Sequence, residues 1–450
     1  MDEQLKLGDR ARPIYSMASI AGVAGLVIAL ILGYLSDHGL RRFLFAYLTS
    51  YVFFLSLVLG ALFMVLMQFL TRAAWSVGVR RIAEHIAGLV PVMGILAIPI
   101  IATVAIQRGT IYRWALPMSA ASPQAIAAAE RGESEEDPTE AGATPSAAES
   151  AEPAQLAAPK LDSVTLQKRA WMNPWFWVLR VVIYFVCWSA IALWYRRQSL
   201  MQDESSDPEL TRKMQIWSGV CVVIFGLTVT GAAGDFIMSL DPHWYSTMFG
   251  VYYFAGATLG SWASLIIIVA TLQHYGFLTA SITKEHYQDL GKYLFAFTFF
   301  WGYIAFSQYM LLWYANIPEE IQWFNRHGAT TVSQNVNAWS FMILAILFGQ
   351  LLIPFPGLLS RHVKRRVGVL VFWAVWVLTF HYLDTYWMVM PEYHVIGGHH
   401  VTILSILVDL AALVGIGGVF VSSLVRTMAP YNLRPTGDPR LPESLAFHNI

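Results

Sequence analysis

Charged residues are scarce in this sequence. Only 13% of its 450 residues are charged, against roughly 25% in a typical soluble domain. Hydrophobic residues make up 56% of the chain, and its mean hydropathy is +0.51. This composition predicts an integral membrane protein. The 29 basic and 29 acidic residues leave no net charge, which removes any electrostatic basis for nucleic-acid binding.

Cysteine is almost absent as well. Cys187 and Cys221 are the only two, too few for a disulfide framework, a cysteine-ligated zinc site or an iron–sulfur cluster. Both lie within apolar runs, where a free thiol packs as a small apolar group.

Long apolar runs, in contrast, are abundant. A helix needs about 20 apolar residues to cross a bilayer, and these runs lack the alternation of a β-barrel strand. We therefore predict an all-α membrane protein with ten transmembrane helices, at about 14–35, 42–70, 82–106, 173–195, 214–240, 246–275, 288–315, 335–359, 367–390 and 400–426.

Lysine and arginine are distributed unequally between the two sides of this arrangement. One side, which includes both termini, carries 19; the other carries 3 in short loops and 6 in the long 107–172 segment. The positive-inside rule predicts that residues 1–13 and the 427–450 tail are cytoplasmic. The predicted transmembrane segments are 14–106 and 173–426.

The 107–172 segment is predicted to be a periplasmic linker. Its central part, 119–158, is rich in alanine, proline and glutamate and has almost no large apolar side chain. Such a composition cannot form a core, so we expect disorder, or order only against a partner.

Two matches between helices indicate an internal duplication. Asp235 and Asp384 each lie seven residues before a proline, at an offset of 149, and Leu59-Gly60 matches Leu259-Gly260 at an offset of 200. The difference is about the length of the linker, which would interrupt only the first copy. Helices 2–5 and 6–9 are therefore predicted to form two related four-helix bundles, flanked by helices 1 and 10.

Ionisable groups inside the membrane are the candidates for function, because burying a charge in lipid is costly. On the non-cytoplasmic half, carboxyls and histidines that can exchange protons cluster in the sequence. The alternative is structural, with these groups capping helix ends and bonding to other helices. The proton-path candidates on this side are Asp235, Asp384, Asp409, His243, His381 and Glu392.

On the cytoplasmic side the candidates are fewer. Lys292 lies at a helix end, and Tyr303 and Ser307 share one face of helix 7. These hydroxyls either carry protons or tie helices together. Of the 12 histidines only His381 lies well inside a span, so a bis-histidine haem is not predicted. Metal binding by Glu392, His394, His399 and His400 is a disfavoured alternative, and no metal site is predicted. A redox role would then use a quinone, with the electrons passing to a partner's cofactor.

Three stretches carry a resemblance to a known family. They are Leu48–Phe63 with the following Thr71-Arg-Ala-Ala-Trp75-Ser, the run from Gly291 through Trp301 and Phe306-Ser-Gln-Tyr309 to Trp313-Tyr-Ala-Asn316-Ile-Pro318-Glu-Glu320, and His381-Tyr-Leu-Asp384 continuing to Pro391. Together they resemble the NrfD/polysulfide-reductase superfamily of membrane subunits. Within it, the chain is most similar to the second of the two quinone-related subunits of bacterial alternative complex III.

This resemblance implies a subunit of a respiratory quinol:electron-acceptor oxidoreductase in the bacterial inner membrane. The implied partners are a paralogous membrane subunit, an iron–sulfur subunit, multihaem and monohaem cytochrome c subunits, and a terminal oxidase. Haem and iron–sulfur centres would belong to those partners, and the only small molecule expected on this chain is quinone or quinol. The resemblance makes Asp235, Asp384, His381 and Asp409 the first positions to test.

Three hypotheses follow for the role of the subunit. In the first, it supports quinol oxidation and conducts protons through polar half-paths in its two bundles. In the second, it oxidises quinol itself, with a carboxylate or histidine as proton acceptor. In the third, it is a structural anchor for the peripheral subunits. The resemblance to a complex subunit disfavours an autonomous transporter.

Overall fold

The computed structural model describes residues 4–36, 39–131, 161–329, 338–395 and 402–449. The described residues are helical and contain no strand. Ten helical segments are long and apolar enough to cross a membrane, which confirms the predicted all-α membrane fold. These spans, numbered 1 to 10, are Gly8–Leu35, Leu40–Leu70, Val77–Ala105, Pro174–Ser205, Pro208–Leu240, Phe249–His274, Lys284–Ala315, Ala338–Gly357, Val367–His394 and Ile403–Met428.

Proline and a local change of helix type interrupt two of the spans. Span 3 consists of three short helices, Val77–Ala87, Val90–Leu96 and Ile98–Ala105, and the last two begin around prolines. Span 8 changes to a π-helix over Leu347–Leu352. Short helices outside the spans are Pro123–Arg131, Ser163–Gln167, Pro318–Arg326, Arg361–Arg365 and Leu441–Leu445.

The spans pack as two four-helix bundles. Span 2 contacts spans 3 and 5, and span 4 closes the first bundle against spans 3 and 5. Spans 6, 7, 8 and 9 form the second bundle in the same way. The bundles meet through spans 2 and 6, with span 2 also against span 9 and span 6 against span 5. Spans 1 and 10 pair with each other and pack on span 2.

The contact between spans 2 and 6 is reciprocal. A Cβ atom on Gly60 would lie 2.2 Å from the Ala257 carbonyl oxygen, and one on Gly260 would lie 2.9 Å from Leu57. These are the same two positions in each copy of the repeat, 200 residues apart. Such an exchange of contacts is what a two-fold relation produces, and it supports the predicted duplication.

The flanks of the linker are folded onto the first bundle. The Tyr112 hydroxyl donates to the Phe236 carbonyl at 2.8 Å, and Trp114 Nε1 donates to the Ser239 carbonyl at 2.9 Å. The Pro123–Arg131 helix buries Ala125 and Ala128. The expected disorder is therefore wrong for 123–131, where small alanine side chains allow close packing. The rest of the linker, 132–160, lies outside the described residues.

The C-terminal tail also packs on the protein. Its Leu433 amide donates to the Leu5 carbonyl of the N-terminal segment at 2.8 Å. Asp438 pairs with buried Arg80 at 2.5 Å. Both termini therefore lie on the same face of the membrane, called the tail face below. Its assignment to the cytoplasm stays a prediction.

Candidate functional site

A cavity of about 670 Å³ lies inside the second bundle, enclosed by spans 6 to 9. Its wall is mostly apolar, with polar atoms from Tyr252, Trp301, Gln308 and Ser340. Three apolar side chains of spans 7 and 8 that line it are also exposed to the membrane: Phe306 at 61%, Leu344 at 50% and Leu347 at 40%. The cavity therefore opens between spans 7 and 8 into the hydrocarbon region.

The carboxyl of Asp384 lies directly behind this wall. The Tyr252 hydroxyl donates to its Oδ1 atom, and Trp301 Nε1 donates to its Oδ2 atom at 3.2 Å. Both donors line the cavity. Asp384 is only 1% exposed, and no ion pair joins it to a cation among the described residues. It is thus a buried acid with two hydrogen-bond donors and no charge partner.

Asp384 lies farther from the end of its helix than its sequence position indicated. The helix of span 9 continues through Pro391 and runs over Val367–Val395, instead of ending at 390 as predicted. A proline in the last turns removes only one amide donor and leaves the helix intact here. Asp384 is consequently about 16 Å, or three turns, from the end of its helix.

His381 lies one turn before Asp384 and reaches the other bundle. Its Nε2 atom is 2.8 Å from the Ser56 Oγ atom of span 2. Its ring lies against the backbone of span 6, because Cβ atoms on Gly256 and Gly260 would come within 3.0 and 2.5 Å of ring carbons. A Gly-x-x-x-Gly pair thus forms a groove for the imidazole.

An aromatic layer closes the cavity on the side away from the tail face. The Trp323 ring stacks on Trp244 at 4.2 Å and on His327 at 3.7 Å between ring centroids. Trp323 and Trp387 both line the cavity. Burial lowers the pKa of His327 to about 3, so this ring is neutral at physiological pH.

An ion-pair cluster lies beyond that layer and includes His243. Asp241 pairs with Arg326 and His243, and His243 also bonds to Asp162 of the linker. Burial opposes protonation of His243, but hydrogen bonds to Asp162 and Asp241 outweigh it and raise its pKa to about 10. His243 is thus a fixed cation that joins the linker to the 5–6 loop.

Glu392 is the repeat equivalent of His243, at the same offset of 149 residues. It is buried, and one carboxyl oxygen has no hydrogen-bond partner among the described residues. Its electrostatic neighbours are Asp241, Arg326, Arg113 and His243. Glu392 therefore belongs to the charged layer outside the cavity. His399 and His400 in the following loop lie outside the described residues.

Asp235 and Asp409 are held in ion pairs. Arg180 Nε and Nη2 donate to the two carboxylate oxygens of Asp235 at 2.9 and 2.6 Å, and Tyr184 adds a third bond. Asp409 accepts from Arg42 at 2.6 Å. This geometry favours the structural alternative for both residues, since each charge is neutralised by an arginine.

The structure does not bring the remaining candidates to Asp384. Lys292 is half-exposed near the tail face and pairs with Asp289 at 2.6 Å. Tyr303 is 58% exposed on the outer surface of span 7. Ser307 is not part of the cavity wall, where Gln308 takes the corresponding place.

Sequence reasoning missed the residues that surround Asp384 and His381. Tyr252 and Trp301 attract no attention in a chain with 20 tyrosines and 17 tryptophans. Ser56 is one hydroxyl among many. The Gly-x-x-x-Gly spacing of Gly256 and Gly260 was the usable signal, because it marks a close approach between membrane helices.

The fold and site together define a class: a multi-pass α-helical membrane protein with a membrane-facing cavity and a buried carboxyl behind its wall. Among the described residues, no group of three histidine, cysteine or acidic side chains is placed to hold a metal ion. No protein-family model and no curated protein matches this sequence. The relation to the NrfD-like subunits stays a prediction.

Proposed function

We propose that this chain is an integral membrane subunit of a respiratory quinol:electron-acceptor oxidoreductase complex, and that its second bundle binds quinol. The observation that carries the proposal is the cavity itself: apolar, open to the membrane, and walled by the two donors to Asp384. A ligand that enters from lipid and meets a few polar groups at the far wall has an apolar body and a polar head. Quinols have this form.

The residues that carry the family resemblance support the same proposal. Trp301, Phe306, Gln308 and Tyr309 of the second motif line the cavity, and the third motif contains Asp384. The second and third motifs therefore meet at one site. The implied partners follow from this proposal: a paralogous membrane subunit, an iron–sulfur subunit, cytochromes c and a terminal oxidase.

In this proposal the chain accepts the protons that quinol releases. As a quinol hydroxyl gives its proton to the Tyr252 oxygen, Tyr252 passes its own hydrogen to Asp384 Oδ1. The carboxyl thus acts as general base through one tyrosine. The two electrons leave for a redox centre on a partner subunit, since none of the motifs of this chain provides one.

Photo-labelling of native membranes with an azidoquinone tests the binding step. We expect the label on spans 6 to 9, and we expect Ala305→Trp to abolish it, because Ala305 lines the cavity and indole would fill it. Val182→Trp, at an exposed position on span 4, is the matched control. Label confined to other subunits would contradict quinol binding here.

Asp384→Asn tests the proton step. The amide keeps the shape of the side chain but cannot accept the proton, so we expect quinol oxidation to fall by about 100-fold with photo-labelling retained. Normal turnover in this variant would refute the role of Asp384.

Two observations on the first bundle favour a structural role for that half of the chain. Its buried carboxylate, Asp235, is neutralised by Arg180, and the folded linker flanks pack on its outer end. We propose that this bundle anchors peripheral subunits, while the second binds quinol. Loss of the partner subunits from complexes lacking 107–131 would be the expected result, and their retention would contradict it.

A further inference from the structure

The hydrogen bonds of Ser56 determine the protonation pattern of His381. A serine hydroxyl has one hydrogen, and Ser56 directs it to the Phe53 carbonyl of its own helix at 2.6 Å. Its oxygen must then accept at the 2.8 Å contact with His381 Nε2. Neutral His381 therefore carries its hydrogen on Nε2, and Nδ1 has the lone pair.

The free Nδ1 atom of His381 and the Oδ2 atom of Asp384 both lie next to Gly256 of span 6. The position that a Cβ on Gly256 would occupy is 3.2 Å from Nδ1 and 3.8 Å from Asp384 Oδ2. No described residue donates to Nδ1. The ring cannot swing away easily, because Gly256 and Gly260 fit it closely and the Phe53 ring lies 5.5 Å away on another side.

We propose that Asp384 and His381 form one proton-sharing pair, in which Ser56 of the first bundle keeps His381 Nδ1 available to accept the proton of Asp384. This inference rests on the proposed function, because the quinol supplies the proton. Ser56 touches neither quinol nor Asp384, so it is a positioning residue that acts through His381.

The pair offers two proton positions for a two-proton reaction. The first proton from quinol makes Asp384 a carboxylic acid. The carboxyl then rotates so that its O–H points towards His381, the O–H bond breaks, and one bridging water passes a proton on to Nδ1, because the two groups are too far apart for a direct hydrogen bond. The product is an imidazolium whose Nε2–H remains on Ser56. Asp384 is again a carboxylate and takes the second proton through Tyr252. No electron moves within the pair.

Nitrogen-15 NMR of native membranes with labelled histidine tests the arrangement without quinol. The difference between the wild-type and His381→Gln spectra isolates the His381 signals. We expect the Nε2–H tautomer in the wild type and a mixture of tautomers in Ser56→Ala. Thr49→Val is the matched control, because Thr49 lies on the same span but, among the described residues, bonds only to the Phe45 carbonyl of its own helix, at 2.9 Å.

Quinol oxidation in the same variants completes the test. We expect Ser56→Ala to lower turnover by about tenfold, the effect of losing one orienting hydrogen bond, and Ser56→Thr to restore both turnover and the tautomer. An Nδ1–H tautomer in the wild type, or an unchanged spectrum in Ser56→Ala, would overturn the inference. Absence of quinone labelling alongside the expected tautomer would instead contradict the proposed function alone.

Discussion

Asp235 and Asp384 occupy equivalent positions in the two bundles, but their neighbours differ in charge. Arg180 binds both carboxylate oxygens of Asp235, whereas Asp384 receives only the neutral donors Tyr252 and Trp301. Arg180 supplies the counter-charge that a buried carboxylate needs, and Asp235 is thereby a structural acid. Asp384 has two hydrogen-bond donors and no such partner among the described residues, which makes it the candidate for chemistry.

Asp235→Asn should destabilise the fold strongly. The variant leaves the Arg180 guanidinium buried without a counter-charge, at a cost of about 3–5 kcal/mol. Thermal unfolding in detergent measures it, with Arg180→Met plus Asp235→Leu expected to recover most of the loss. Glu209→Gln is the control: its pair with Arg212 has side chains 57% and 70% exposed, so the change should cost less than about 1 kcal/mol. Equal effects of the two single variants would contradict the interpretation.

The linker should be attached most firmly below neutral pH. The folded pKa of His243, about 10, exceeds the usual value of about 6.5, so protonated His243 contributes stability that is fully present below pH 6.5 or so and lost as pH rises through about 10. The partner carboxyl is affected in the opposite sense. The hydrogen bond from His243 outweighs the burial of Asp162 and lowers the pKa of Asp162 below its usual value.

Unfolding temperatures of the wild type and His243→Gln, compared from pH 5 to 11, measure this contribution. Their difference should be constant on the acidic side and should shrink towards zero at the alkaline end. A difference that grows with pH would show that His243 is neutral in the folded protein.

At the scale of whole elements, the number and type of helices follow from sequence, but their irregularities do not. Apolar length predicts each span because lipid requires it. The continuation of span 9 through Pro391 and the π-helix at Leu347–Leu352 depend on neighbouring helices. The cavity was unpredictable for the same reason: it forms where spans 7 and 8 separate, and no local pattern encodes that distance. Asp384 was found because an acid within a span is rare.

The C-terminal tail should contribute to the stability of the folded protein. Arg80 is buried between Glu84 and Asp438, at 3.1 and 2.5 Å, and Ser444 donates to the Trp75 carbonyl at 2.8 Å. Asp438→Asn weakens one of two charge partners, so we expect a loss of about 1–3 kcal/mol, measured as the unfolding temperature. Glu443→Gln, in the same tail but exposed, should have little effect. An unchanged stability in both variants would show that the tail is dispensable.

Across the whole molecule, two related bundles have diverged in what they enclose. The second holds the cavity between spans 7 and 8. The corresponding spans 3 and 4 of the first bundle border an open apolar groove of about 460 Å³. Arg180 and the folded linker flanks are features of the first bundle. Duplication followed by specialisation of one copy accounts for both the shared helix positions and the different sites.

The orientation of the molecule decides which face its partners use. The Leu5–Leu433 hydrogen bond places both termini together. That side carries 19 lysines and arginines against 9 on the other, which predicts that it is cytoplasmic. Reporter fusions at the C-terminus and within the 107–172 linker test this. We expect a cytoplasm-active reporter to work only at the C-terminus, and a periplasm-active one only in the linker. The reverse pattern would place the linker, Arg326 and Glu392 in the cytoplasm, where periplasmic cytochromes could not reach them, and would remove the electron route that the proposed function requires.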